Sequence, residues 1–321
     1  MSKQLTSEQR YAIYLGLARK QSKKSIAQEI GVHPSTVTRE VQRNSNRDNQ
    51  YVFAVAQRKC ESRKHSTLGN HRKDDTLWWR VEQMIKDEDW SPRQISGVLA
   101  KEGIHICAQT IYNHVHADTK GELAKHMPHE LRYRRKEKKQ YVTKGTNIPN
   151  RTSIHDRPKE ADGKHFGDWE MDLIVDSQQH VILTLVERST NMLLMQRIPT
   201  GKKSEPIAKA VVKQLFPYRR TVKTITTDNG SEFAAHQLIT KGLYMKGKED
   251  IKVYFTDVYS SWQKGCIENT NKLIRKYIPK GADFTQFSDT KIMNIQKKLN
   301  RRPREKLNFM TPKDCFFNYF S

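Results

Sequence analysis

Long apolar segments are absent from this sequence, and acidic residues are too few to balance its lysines and arginines. No run of about 18 apolar residues occurs, which predicts that the chain does not span a membrane. The N-terminal segment is polar and lacks the apolar core of a secretory signal peptide. The four cysteines of the whole chain are scattered and form no CxxC pair, which favours reduced thiols in a cytoplasmic protein.

Positive charge is what the sequence has in excess. There are 58 lysines and arginines against 35 acids in 321 residues, a formal charge of +23. The excess is divided about evenly between residues 1–150 and 151–321, and a chain of this charge repels itself unless it meets a polyanion. We therefore expect nucleic acid as the partner, with an anionic membrane surface as the alternative.

The N-terminal segment has the pattern of three short helices. Leu5 to Leu17 predicts one amphipathic helix, "KKSIAQEI" a second that stops at Gly31, and Pro34 begins a third. A glycine turn before a helix rich in Ser, Thr and Arg is typical of a helix-turn-helix, although a plain helical hairpin with a basic face also fits. The candidate DNA contacts are Ser35, Thr36, Thr38, Arg39 and Arg43.

A similar pattern returns at "SPRQISGVLAKEGIHICAQTIYNHVH". Ser91 is a helix cap, Pro92 begins a helix and Gly103 makes the turn before a second short helix. We expect a second helix-turn-helix there, so that two units together bind a longer DNA site than either alone. Its candidate DNA contacts are Thr110, Tyr112, Asn113 and His114.

Strand patterns replace helices from about residue 165. Three apolar segments follow one another at short intervals, and then come a helix, a strand, a helix, a strand and a longer helix, which predicts a five-stranded mixed α/β sheet. The predicted domains are 1–62 and 63–118, each a helix-turn-helix, 119–162, a basic linker, 163–282, the α/β core, and 283–321, a C-terminal helical extension. We expect the aromatic end of that extension to pack on the core, or else to form a subunit contact.

Three acids stand at unusual places in the α/β part. Asp172 lies within an apolar strand, Asp228 ends a later strand and Glu268 lies in the following helix. A charge in a buried strand is costly unless it is paired or binds a metal, and Mg²⁺ relieves the repulsion between neighbouring carboxylates. The alternative for Asp228 is ordinary turn chemistry with the following Asn-Gly.

The helix around Glu268 has a polar face. Lys264, Glu268, Lys272 and Arg275 recur at helical spacing. The acid is a candidate third metal ligand, and the three basic residues are candidate DNA contacts beside it. A solvated face with routine ion pairs is the alternative.

The segments "GDWEMD", "TDNGSEF" and "SWQKGCIENTNKLIRKYIP" together resemble the three blocks of a DDE transposase with a retroviral-integrase-like core. With "LNRRPREKLNFMTP" and the N-terminal segment, they resemble the insertion-sequence-30 family of bacterial transposases over residues 4 to 315. The resemblance implies a ribonuclease-H-like fold with Asp172, Asp228 and Glu268 as the catalytic metal ligands. Glu170 matches a further family acid, which either orients a metal-bound water or a lysine or forms a salt bridge in the core.

The resemblance also implies an activity. A transposase of this kind binds the terminal inverted repeats of its element and uses two Mg²⁺ ions, or Mn²⁺ in their place, to cut DNA and join the 3′-OH ends to another strand. It implies a homodimer or larger assembly on double-stranded DNA, in the bacterial cytoplasm with the nucleoid. The alternatives are an inactive DNA-binding regulator and a nuclease that cuts without joining.

Overall fold

The computed structural model describes residues 4–46, 48–66, 73–127, 148–258 and 260–320. The chain divides into two compact units, Met1–Asp75 and Thr76–Ser321. Residues 128–147, which make up most of the predicted basic linker, lie outside the described ranges. Within those ranges, no helix is both long enough and apolar enough to cross a membrane.

The first unit is a set of four helices. They are α1 (Ser7–Ala18), α2 (Lys23–Glu29), α3 (Pro34–Asn44) and α4 (Phe53–Ser66). The capping box of Thr6 with Gln9 begins α1, and Pro34 occupies the first turn of α3, where no backbone N–H is needed. Gly31 supplies the positive φ of +66° at the turn. The three helices that the pattern predicts are therefore confirmed, and α4 adds a fourth.

The core of this unit is small and contains one buried ion pair. Ile13, Ile26 and Val37 are fully or almost fully buried. Beside them Arg10 Nε donates to Glu40 Oε1 at 2.9 Å. The buried pair joins α1 to α3.

The second unit begins with three more helices and a hydrophobic core of their own. They are α5 (Asp75–Lys86), α6 (Pro92–Lys101) and α7 (Ala108–Ala117), and we call residues 75–127 the α5–α7 module. Ser91 and Gln94 form the capping box of α6, and Gly103 has a φ of +79° at the turn before α7. The core of the module includes Leu123 and Met127, which lie beyond the predicted boundary at 118.

The rest of this unit is a mixed sheet covered by helices on both faces. The strands are β1 (Thr152–Ser153), β2 (Asp168–Val175), β3 (Val181–Glu187), β4 (Leu193–Ile198), β5 (Thr224–Thr227) and β6 (Lys252–Phe255). Their order in the sheet is β1-β6-β5-β2-β3-β4; the first four are parallel to one another, and the β2–β3 and β3–β4 pairs are antiparallel. The five predicted strands are present, and the two-residue strand β1 adds a sixth at the edge.

Two hydrophobic clusters hold the helices against the sheet. The helices are α8 (Ser204–Leu215), α9 (His236–Leu243), α10 (Gly265–Ile274), α11 (Asp289–Asn300) and α12 (Pro312–Phe317). Helices α8, α9 and α12 pack with Trp169 and Met171 of β2, whereas α10 and α11 pack with Ile174. Because side chains alternate along a strand, Glu170 and Asp172 face the same side as Ile174, towards α10.

The C-terminal extension folds back on the sheet. Phe316 is fully buried, and its ring packs against those of Phe166, Trp169 and Tyr218. Tyr319 stacks on Phe166 with ring centroids 3.9 Å apart, although it stays half exposed. Packing of the aromatic tail on the core is thereby confirmed.

Candidate active site

Parallel pairing of β2 with β5 brings two of the predicted acids together. Glu170 of β2 lies opposite Thr226 of β5 in the register. Two residues further along each segment stand Asp172, still within β2, and Asp228, just after β5, so they lie side by side at the spacing of neighbouring strands of about 4.8 Å. A cavity of about 530 Å³ lies elsewhere, by Asp168 at the opposite end of these strands.

A lysine side chain lies between the two carboxylates. Lys264 Nζ is 3.3 Å from Asp172 Oδ1 and 3.1 Å from Asp228 Oδ2. Lys264 is only 5% exposed, although the sequence suggested that it contacts DNA. The ammonium group balances two acids that would otherwise repel each other in a partly dehydrated place.

The pKa values reflect this crowding. Burial raises the pKa of Asp172, and the nearby charge of Asp228 adds to that effect, while Lys264 opposes it. Burial by itself disfavours the charged lysine, but the two carboxylates together raise the pKa of Lys264. The ammonium of Lys264 therefore offsets part of the cost of burying the Asp172 carboxylate beside Asp228.

Helix α10 places the third predicted acid on the face that covers this pair. Lys264, at the N-cap, and Asn271, on the second turn, both contact Asp172, the latter through a 2.8 Å bond from Nδ2 to Oδ2. Glu268 lies four residues after Lys264 and three before Asn271, on the same helical face, and is half-buried. The three acids thus come from β2, from the end of β5 and from α10, with the helix lying against β2.

Glu170 has a different environment from the other acids. It is 1% exposed, its Oε1 accepts from Arg188 Nε at 3.0 Å, and its Oε2 accepts from the backbone N–H of Ile267 at 2.8 Å. Burial raises the pKa of Glu170, and the two donors oppose that effect. These contacts describe the second predicted role, a salt bridge in the core. The separate hydrogen bond from Ile267 N–H connects β2 to the first turn of α10.

Comparison with known proteins decides the family. A helix-turn-helix domain family matches residues 2–44. The chain is 39% identical to the transposase for insertion sequence element IS4351 of Bacteroides fragilis, over 98% of this chain and 96% of that protein. It is 33% identical to the transposase InsI for insertion sequence element IS30A of Escherichia coli, over 97% of this chain and 82% of that protein. The chain belongs to the insertion-sequence-30 family of transposases.

A further relative agrees with that assignment. The transposase for insertion sequence element IS1086 of Cupriavidus metallidurans is 32% identical over 96% of this chain and 93% of that protein. Because these similarities span the helical N-terminal part and the α/β part alike, the two parts of this transposase belong to one family architecture. The helix-turn-helix family covers α1 to α3, where the sequence pattern predicts it.

The predicted DNA contacts of the first unit lie on α3 of the transposase. Arg39 and Arg43 are exposed, while Ser35, Thr36 and Thr38 are half-buried. Two of the hydroxyls already have local partners, since Ser35 Oγ bonds His33 Nδ1 at 2.9 Å and Thr38 Oγ1 donates to the carbonyl of Pro34. The arginines are therefore the residues of this set that reach outward most freely.

The predicted contacts of the α5–α7 module are on α7. Asn113 is exposed, and its Oδ1 accepts from Gln109 Nε2 at 2.9 Å. Thr110 and Tyr112 are half-buried, and the Thr110 hydroxyl bonds the thiol of Cys107. The ring of His114 stacks on Trp78 and bonds Glu82, so it faces the module rather than solvent.

The two remaining basic residues of α10 differ in exposure. Lys272 is exposed, whereas Arg275 is half-buried and burial lowers its pKa. Sequence reasoning missed Asn271 and Arg188. Asn271 could have been found from its spacing of three residues from Glu268, but Arg188 lies on a separate segment with no motif to mark it.

One other cluster has ligand-like residues. Within the described residues, Asp176, His180 and Asp283 bring a carboxylate oxygen, a ring nitrogen and a second carboxylate oxygen within 4.8 Å of one another. Asp176 Oδ1 accepts from the N–H groups of Gln178 and His180, and its Oδ2 accepts from the His180 ring and from Phe284 N–H. Four donors already bond to the Asp176 oxygens, so this carboxylate stabilises the surrounding loop.

Proposed function

We propose that this transposase binds the terminal inverted repeats of its element and catalyses metal-dependent DNA cleavage and strand transfer with Asp172, Asp228 and Glu268. The observation that carries the proposal is the position of Lys264 Nζ between Asp172 and Asp228. A cation already lies where two carboxylates from distant parts of the chain converge. The intact acid set disfavours the alternative of an inactive DNA-binding regulator.

The donor set fits a divalent metal. Carboxylate and amide oxygens are the ligands that Mg²⁺ and Mn²⁺ prefer. Besides the carboxylates, Asn271 offers a buried Oδ1 that has no hydrogen-bond partner among the described residues. When bound, two such ions would stabilise the attacking and leaving oxygens of an in-line phosphoryl transfer. Asp172 and Asp228 would hold the metal from the sheet, and Glu268 from the helix.

The protein's own groups have separate tasks in this reaction. Water attacks the phosphodiester at the element end first, and the freed 3′-OH then attacks a phosphate of the target DNA. One site serves both steps because only the nucleophile changes, and no covalent protein–DNA link forms. The helices α3 and α7 select the DNA end, and Lys272 and Arg275 hold the phosphate backbone beside the acids.

Joining two ends requires two bound DNA ends. We infer that a homodimer or larger assembly forms on the DNA, with one set of acids for each end. Chemical cross-linking in the presence and absence of end DNA would measure this directly.

The function is tested with a DNA duplex that carries the element end, incubated with the full-length protein and Mg²⁺ or Mn²⁺. We expect nicked ends first and joined products later, both lost when a chelator removes the metal. Nicks without joined products would favour the nuclease. Bound DNA without any metal-dependent product would contradict the proposal and favour the regulator.

Replacing Lys264 by methionine should strengthen metal binding. The ammonium competes with the metal for the same oxygens, and a unit charge at 4 Å is worth about 4 kcal/mol at an effective dielectric constant of 20. In the wild type, the ammonium that a metal displaces can still bind water and other partners, so only part of this energy opposes metal binding. We therefore expect roughly tenfold tighter Mn²⁺ binding by Lys264→Met, a change of about 1.4 kcal/mol. Calorimetric titration of the free protein with Mn²⁺ measures it without any DNA.

The matched control for this experiment is Lys297→Met, which removes an exposed lysine from α11. It should leave Mn²⁺ affinity unchanged. Equal or weaker Mn²⁺ binding by Lys264→Met would show that the lysine does not occupy the metal position.

A further inference from the structure

The α5–α7 module is joined to the α/β part by polar contacts centred on Asp89. This residue is 5% exposed and accepts from Lys276 Nζ and Lys298 Nζ, each at 2.6 Å. The hydroxyl of Tyr277 donates at 3.0 Å, and the ring of His126 bonds at 3.0 Å. One carboxylate of the module therefore contacts the segment just after α10, the last turn of α11 and the last turn of the module.

Two more contacts lie beside this carboxylate. Arg302 Nε donates to Gln94 Oε1 at 2.9 Å, and Gln94 Nε2 donates to the carbonyl of Pro303 at 2.7 Å. Phe309 lies so close to α6 that a Cβ added to Gly97 would be 2.4 Å from its ring. We call the contacts of Asp89, Gln94 and Gly97 with residues 276–309 the joint.

The contacts of the joint fix the position of the module on the α/β part. Among the described residues, the module and the α10–α11 face form separate hydrophobic clusters, so the contacts between them do not depend on a shared apolar core. Although burial alone would raise it, the hydrogen bonds from Lys276 and Lys298 hold the pKa of Asp89 well below its usual range. A sliding or tilted module would leave buried charges without partners, which is costly. Phe309 is also held at a positive φ of +58°, a conformation that needs a supporting contact.

The joint lies between two functional faces. Lys276 and Tyr277 directly follow α10, the helix that carries Glu268, so the carboxylate of Asp89 is connected to the acids through one rigid element. On the other side, α7 leaves Gln109, Asn113 and His116 exposed. DNA held on α7 is thus at a fixed distance from the acids.

We propose that the joint acts as a ruler: by fixing the α5–α7 module on the α/β part, Asp89 and Phe309 determine which phosphate of the bound DNA end meets the acids. This rests on the proposed function, since it concerns the position of the cut. Asp89 and Phe309 are positioning residues, because they act through α10 and the module and do not touch the reacting atoms.

The test compares the cut positions of full-length wild type, Asp89→Ala and Phe309→Ala on an end-labelled DNA end with Mn²⁺, resolved to single nucleotides. Wild type should cut at one main position. Both variants should cut at several neighbouring positions, and the rate at the main position should fall by about 10- to 100-fold, the cost of a misplacement of about 1 Å. A purely structural role would lower the amount of product without spreading it.

Glu305→Gln is the matched control, because its ion pair with Arg93 crosses the same joint but is exposed. It should keep the single cut. Should Asp89→Ala fail to fold, as circular dichroism would report, Phe309→Ala decides the question, since it removes only a half-buried ring. If every folded joint variant makes a single cut at the wild-type position, the proposal that the joint determines the cut position is wrong. Absence of any cut by wild type instead contradicts the proposed function.

Discussion

Asp172→Asn should abolish both strand cleavage and strand transfer while DNA binding persists. The substitution removes the one carboxylate charge that both Lys264 and Asn271 contact, and an amide cannot hold a divalent metal between itself and Asp228 as a carboxylate does. A metal supplies several kcal/mol of transition-state stabilisation, so we expect a loss of about 10³-fold or more in the rate. Glu268→Gln should have a similar effect.

Three measurements separate a lost reaction from a lost fold. Gel-shift titration with end DNA should give an unchanged dissociation constant, because the helix-turn-helix units are untouched. The thermal stabilisation that Mn²⁺ gives the free protein should disappear in Asp172→Asn. Single-turnover cleavage by the variant within about threefold of wild type would remove Asp172 from the proposed catalytic set.

Asp168→Asn is the matched control for this variant. It lies on the same strand, is 1% exposed and accepts from the Thr224 hydroxyl at 2.6 Å. Burial raises the pKa of Asp168, and its buried Oδ2 has no hydrogen-bond partner among the described residues, so an amide of the same shape can keep the bond from Thr224. Cleavage by Asp168→Asn should remain. That result would show that removing an acid from β2 is not by itself enough to abolish cleavage.

The parts of this fold that the sequence predicts are those with local causes. The helix starts at Ser91 and Pro34 depend on capping and on the missing proline N–H, and both effects act within one turn. The strand that ends at Asp228 is likewise marked by its apolar residues and by the turn that follows.

Helices α4 and α5 were not predicted, and for α4 the reason is a weak local signal. In α4, charged and apolar residues are spread around the axis, so no face stands out at helical spacing. Packing against α1 and α3 stabilises it instead, and that depends on contacts with residues far away in the sequence. The two-residue strand β1 has the same origin, since only pairing with β6 defines it.

The candidate site shows the same division. The positions of the acids followed from strand and helix patterns together with the family resemblance. Lys264 was expected at the DNA, and its place between Asp172 and Asp228 depends on how closely α10 approaches the sheet. Helical spacing gives the face on which a residue lies, but it does not give the distance to what that face meets.

Replacing Glu170 by alanine should destabilise the protein and slow cleavage without changing metal affinity. The change leaves Arg188, whose side chain is 14% exposed, and the N–H of Ile267 without their acceptor. Breaking a buried pair by removing one partner costs about 3–5 kcal/mol. Since the first turn of α10 then loses its tie to β2, Glu268 is held less precisely, and we expect cleavage to slow by about 10- to 100-fold.

Glu170→Gln separates the two contacts, because its amide oxygen still accepts from Ile267 but no longer balances Arg188. Stability by urea unfolding should decrease in the order wild type, Gln, Ala. Adding Arg188→Met to Glu170→Ala should recover part of the loss, because the unpaired buried charge is removed as well. The Mn²⁺ concentration that gives half-maximal cleavage should stay the same in Glu170→Gln. A clear increase in that concentration would mean that Glu170 is a metal ligand, and the tie between β2 and α10 would then be secondary to it.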